Sequence, residues 1–155
     1  MKKVLLAIFC LLVPLAQAGT VYLTRHYEKA KGDDPSLTAD GAARASQLAA
    51  YFATTPLQHI YSTSYRRTQE TVAPLAQQQG LTVEDYDPSD LSAFADLLRQ
   101  QTGLVLVSGH SNTTPVLIQL LGGPDVSIGE DDYGTLYILK TDDQGTVMQT
   151  IELFP

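Results

Sequence analysis

The sequence predicts an α/β fold, a three-layer α/β/α arrangement with a mostly parallel central sheet and an antiparallel edge strand or hairpin. Three observations carry this. Short β-rich runs alternate with helical patterns from Val21 onward, the order that builds parallel sheets. Residues 104–107 (Leu-Val-Leu-Val) are apolar without interruption, as expected of a central strand covered on both faces. Residues 134–140 and 146–154 flank the polar stretch 141–145, which reads as a terminal hairpin.

The elements follow in order. Residues 21–24 (Val-Tyr-Leu-Thr) read as a buried strand ending at Arg25-His26. Residues 29–36 are polar, contain Gly32 and Pro35, and read as a loop. An alanine-rich helix opens at Thr38-Ala39-Asp40-Gly41 and runs to about Ala53, with Ala45, Leu48, Ala49 and Phe52 at helical spacing. A strand over 59–62 precedes a helix from about Arg66 to Gln79, which Gly80 stops. Residues 81–86 read as a third strand. Asp87-Pro88-Ser89-Asp90 reads as a helix start, with Asp87 as N-cap, Pro88 in the first helical position and Asp90 in the third. After the 104–107 strand, residues 109–114 form a turn, and Pro115 opens a helix through Leu121 that Gly122-Gly123 ends.

Residues 1–18 are expected to lie outside this domain. Lys2 and Lys3 precede an apolar run over 4–16, and Ala16-Gln17-Ala18 supplies small residues where a signal peptidase reads. The run is too short for a membrane span. The expected organisation is therefore a signal peptide over 1–18 and a single domain over 19–155, exported to the periplasm or secreted, with no stable membrane insertion once the signal is removed. Cys10 is the one cysteine. It leaves with that segment, which excludes a disulfide, a thiol nucleophile and a thiolate metal site from the mature chain. The formal charge of −7 becomes about −9 without Lys2 and Lys3. So acidic a chain is a poor binder of nucleic acid, and any arginine kept in a cleft becomes more informative.

In parallel α/β sheets, ligands bind at the carboxyl ends of the strands. Arg25-His26, residues 62–66 and Ser108-Gly109-His110 each follow a strand, so all three groups are expected on one rim. Phosphoryl transfer needs a nucleophile, cationic donors for the equatorial oxygens and an acid for the leaving group. Arg25 and His26 place a cation beside an imidazole. Arg66 opens a helix whose backbone N–H groups favour an anion. His110 stands before another helix start, which points its positive end the same way. Taken singly, each has an ordinary role available, a surface ion pair or a satisfied core histidine. Their convergence at strand ends is what argues for a site.

These residues carry a resemblance to the histidine phosphatase superfamily, the group that includes the phosphoglycerate mutases, and in size the chain is similar to its small bacterial members. The matching segments are Arg-His-x-Glu at Arg25 to Glu28, Leu-Thr-x-x-Gly at Leu37 to Gly41, a Ser-x-x-x-Arg segment leading to a threonine at Ser62 to Thr71, and Gly-His-Ser-Asn at Gly109 to Asn112. The resemblance implies a phosphatase acting on a phosphorylated small-molecule substrate. His26 would be the nucleophile, Arg25, Arg66 and His110 would complete the phosphate pocket, and Ser111 and Asn112 would add donors. Two guanidiniums beside His26 should lower its pKa and keep it neutral for attack. Water then releases the phosphate, with no metal or other cofactor needed. Tyr27 stands where glycine is most common in the family, and is expected to narrow the pocket or shape substrate choice.

The resemblance places the leaving-group acid after the third strand, which points to Asp87 or Asp90. Capping of the following helix is the competing role for both. Glu28 is a further candidate, with the orientation of a pocket side chain as its alternative. Glu130-Asp131-Asp132 reads as a solvated turn, and His59 as a surface or strand-edge histidine. Two other functions fit the same residues: a non-catalytic phospho-ligand binding module, and a phosphomutase, for which the short chain leaves little room to build a lid.

Overall fold

The computed structural model describes residues 19–142 and 144–153. The signal-peptide reading of residues 1–18, and Cys10 within it, lies outside the described residues. Within them the order is β1 (Thr20–Arg25), α1 (Ala39–Tyr51), β2 (His59–Ser62), α2 (Arg66–Gln79), β3 (Val83–Asp85), α3 (Leu91–Gln100), β4 (Leu104–Gly109), α4 (Thr113–Leu120), β5 (Thr135–Asp142) and β6 (Gly145–Glu152). The six strands form one sheet in the order β3-β2-β4-β1-β5-β6. β3, β2, β4 and β1 pair in parallel, while β5 pairs antiparallel with both β1 and β6.

Alternation along the strands splits the core into two layers. Leu106 and Ile60 face α1 and α2, where they pack with Leu48, Phe52, Val72 and Leu75. Val105, Val107 and Leu23 face α3 and α4, meeting Phe94, Leu98, Leu117 and Ile118. β4 is thus buried on both faces, which is why its sequence is apolar throughout rather than alternating. Each such leucine or valine contributes about 1.5–3 kcal/mol by leaving water. No helix among the described residues is long and apolar enough to cross a membrane.

Helix ends follow local chemistry. The Thr38 side chain accepts from the Gly41 N–H at the start of α1, and Gly80 closes α2 in the left-handed region at φ 67°. Gly41 is required for a second reason: a Cβ there would lie 2.3 Å from the Glu28 carbonyl oxygen. The start of α1 therefore presses directly on the segment that carries the first motif.

Two expectations change. α3 begins one turn later than the Asp-Pro-Ser-Asp reading has it. Its N-cap is Asp90, which accepts from the Ala93 N–H, whereas Asp87 folds back to accept from the Ser89 N–H and hydroxyl. Both aspartates are competent caps, and the later one wins because the amphipathic run Leu91, Phe94, Ala95, Leu98 starts from it.

Tyr27 does not narrow a pocket. Its side chain is 0% exposed and packs between the sheet and α1 and α2, within the Leu48, Phe52, Val72 layer. Alternation stops where β1 ends at Arg25. Leu23, an even number of positions before Tyr27, faces α3 and α4, whereas the backbone beyond Arg25 leaves the sheet and turns the Tyr27 ring into the opposite layer. Tyr27→Ala is expected to cost about 3–5 kcal/mol, the range for removing a buried aromatic ring. Urea unfolding checks it, and a cost under about 1 kcal/mol would contradict this burial.

Candidate active site

The pairing of β1 with β4 builds the centre of the site. Arg25 lies in register with Gly109, and the next residue on each strand is a histidine. The His26 N–H donates to the Gly109 carbonyl at 2.9 Å, and the two imidazoles come within 5.5 Å, centroid to centroid, in an edge-to-face arrangement. Both are buried, His26 at 3% and His110 at 9% exposure. They stand in a cavity of about 600 Å³ lined also by Arg25, Arg67, Ser111, Asn112 and Glu130.

Backbone contacts orient His26. Its Nδ1 lies 2.8 Å from the Tyr27 carbonyl oxygen, an acceptor only, so Nδ1 carries the proton and Nε2 keeps a lone pair. The Tyr27 N–H in turn donates to Thr71 Oγ1 of α2. Burial, and then the charges of Arg25, His110 and Arg67, lower the His26 pKa to about 3 against the opposing Tyr27 hydrogen bond. Burial followed by Arg67 and Arg25 lowers His110 to about 4. His26 therefore stays neutral as pH falls through the ordinary histidine range and is protonated only near pH 3, where its lone pair is lost. An NMR titration of the free protein should show no His26 inflection between pH 6 and 7; an inflection there would contradict the geometry.

A hydroxyl chain holds His110. Its Nε2 is 3.0 Å from Thr63 Oγ1, which is 2.8 Å from Thr68 Oγ1. Its N–H donates to Thr113 Oγ1 in the first turn of α4. Gly109 must be glycine because a Cβ would meet Thr113 Oγ1, Thr114 Oγ1 and the Tyr86 hydroxyl, all at 2.9 Å. Ser111 and Asn112 line the cavity just before α4, whose positive end faces it.

The cations divide differently from expectation. Arg25 lines the cavity, but Arg66 does not; Arg67 takes that place. The reason is helical register. Thr68 and Thr71 are fully buried against the sheet, and Thr71 Oγ1 donates to the Arg67 carbonyl one turn back, so Arg67 shares the inward side of α2. Arg66 is exposed, and its backbone N–H donates to Asp34 Oδ1 at 2.8 Å. Counting back four residues from Thr71 is the sequence signal that finds Arg67. Its guanidinium lies 4.5 Å from the centre of the Tyr65 ring, and its buried Nε has no hydrogen-bond partner among the described residues. The buried Nε of Arg25 likewise has none.

The acid candidates are not brought into the cavity. Asp87 is exposed and turned to Ser89, and those hydrogen bonds lower its pKa, the wrong direction for a proton donor. Asp90 caps α3. Glu28 pairs with Arg44 Nε at 2.7 Å and does not line the cavity. Only the neighbours Pro88 and Ser89 reach its wall. His59 pairs with Glu84 at 2.8 Å on β2, away from the site. Lys29 and Tyr65 reach the rim, and Tyr133 lies under the Arg25 guanidinium at 4.4 Å. Glu130, expected in a solvated turn, reaches the cavity through the long loop between α4 and β5. Nothing in its local sequence distinguishes it from Asp131 and Asp132. Among the described residues no group of three or more His, Cys, Asp or Glu is placed to hold a metal.

Residues 21–88 match the model of the histidine phosphatase superfamily (branch 1). No curated protein matches the chain. Among solved structures, one named as the phosphohistidine phosphatase SixA of Agrobacterium tumefaciens superposes with a TM-score of 0.67 at 21% identity, covering 85% of this chain and 97% of that one. The protein histidine phosphatase SixA complexed with tungstate gives 0.69 at 16% identity, covering 86% and 97%. A protein of Escherichia coli K-12 named as an α-ribazole-5′-P phosphatase gives 0.69 at 15%, covering 88% and 97%. The chain has the histidine phosphatase fold, and the segment that carries Arg25, His26 and Arg67 matches the histidine phosphatase superfamily.

Proposed function

We propose that this chain is a phosphatase that hydrolyses phosphate monoesters through a phosphohistidine intermediate on His26. The observation that carries the reading is the His26 imidazole, held neutral with its Nδ1 proton on the Tyr27 carbonyl and its Nε2 free beside two arginines. Nε2 attacks phosphorus as the ester O–P bond breaks. Arg25, Arg67 and the positive end of α4 spread the charge of the transferring group. Water then attacks the phosphohistidine and releases inorganic phosphate.

The solved relatives support an oxyanion site: one of them is described in complex with tungstate. Their named substrates differ, phosphohistidine in one and an α-ribazole phosphate in another, so they do not choose a substrate for this chain. Lys2 and Lys3, the apolar run after them and Ala16-Gln17-Ala18 support export to the periplasm or secretion. In that compartment sugar phosphates, nucleotides and scavenged organic phosphates are the available monoesters. Rapid acid-free quenching after mixing with a radiolabelled phosphate monoester should trap label on the protein that is lost in acid and kept in alkali, as a P–N bond requires. Turnover without such label would remove the covalent mechanism.

A further inference from the structure

The geometry points to Glu130 as the residue that protonates the leaving group and then activates water, an assignment that rests on the phosphatase reading above. Glu130 is the only carboxylate among the described residues that line the His26 cavity. Its Oε1 accepts from Ser111 Oγ at 3.0 Å, and its Oε2 lies 3.4 Å from Arg25 Nη2. It therefore stands on two of the donors that a phosphate would use. Its backbone is anchored, because the Glu130 carbonyl accepts from Arg25 Nη1 at 2.7 Å. The side chain is free to move, being 83% exposed.

Direction decides the role. His26 is buried at the floor, so in-line attack sends the departing oxygen outward, to the mouth where Glu130 stands. An incoming phosphate takes Arg25 and Ser111 from the carboxylate. To act as the acid, Glu130 carries a proton while the ester is bound. As His26 Nε2 bonds to phosphorus and the O–P bond breaks, Glu130 passes that proton to the departing alkoxide, giving a neutral alcohol. The resulting carboxylate then takes a proton from water as the water oxygen bonds to phosphorus and the N–P bond breaks. Hydrogen phosphate leaves and Glu130 is protonated again, ready for the next ester.

The test compares Glu130→Gln with the unaltered protein on two esters. An alkyl phosphate has a leaving group that needs a proton; a nitrophenyl phosphate does not. The expected result is a loss of kcat/KM, which reads transfer to His26 and not the later attack by water, of about 100-fold or more on the alkyl ester and under about 5-fold on the nitrophenyl ester, the size and selectivity of a missing general acid. Competition by inorganic phosphate reports that the pocket is intact in the variant. Equal losses of kcat/KM on both esters would overturn the assignment. So would an unchanged kcat with a lower KM, which would make Glu130 only a competitor for the phosphate position. Trapped phosphohistidine in the unaltered protein separates these failures from failure of the phosphatase reading, which would lose the label itself.

Discussion

Replacing His26 with alanine is expected to lower kcat on an aryl phosphate by about a thousandfold or more and to abolish the trapped phosphoenzyme. No other side chain in the cavity offers an equivalent atom. His110 is the one alternative imidazole, and its Nε2 is committed to Thr63 Oγ1 at 3.0 Å. Loss of a covalent nucleophile removes the whole two-step route and leaves only what binding and charge stabilisation provide. His59→Ala is the matched control: it sits on β2 against Glu84 and should change turnover less than twofold. An alanine variant at 26 that kept a tenth of the rate would mean that the phosphoryl group is attacked by something else.

The second large effect separates adjacent arginines. Arg67→Ala is expected to lower kcat by about 10²–10³-fold, the usual cost of removing one donor aimed at developing charge. Arg66→Ala should cost less than about threefold. The two residues follow each other in the chain but are turned about 100° apart on the helix, one toward the sheet and one toward water. Arg67 also contributes to keeping His26 and His110 neutral, so its removal should raise both pKa values as well as slow the reaction. Both measurements belong in the same experiment, because a surface arginine would move neither. The opposite ranking, with Arg66 the costly loss, would mean that α2 sits rotated by about a quarter turn from the arrangement described.

Much of this protein could be read from the order of its residues. Strand-helix alternation and the apolar run of β4 specify a layered α/β fold, because burial on one face or two imposes a period that the chain itself displays. The rule that parallel strands present their carboxyl ends to ligands brought Arg25, His26 and His110 together before any distance was known. What the sequence left open turns on rotation and on long loops. Whether Arg66 or Arg67 enters the cavity depends on the phase of α2, which the burial of Thr68 and Thr71 sets. Tyr27 looked like a pocket residue beside His26 in the chain, yet the backbone leaves the sheet after Arg25 and carries its ring into the layer of α1 and α2. Asp87 had the composition of an acid in the right loop, but a local hydrogen bond to Ser89 offered it a cheaper partner. Glu130 is 104 positions after His26, and only closure of the loop between α4 and β5 over Arg25 brings the two near. Local periodicity is written in neighbouring residues; meetings across the sheet depend on how the layers pack, and that is decided only once the whole chain has collapsed.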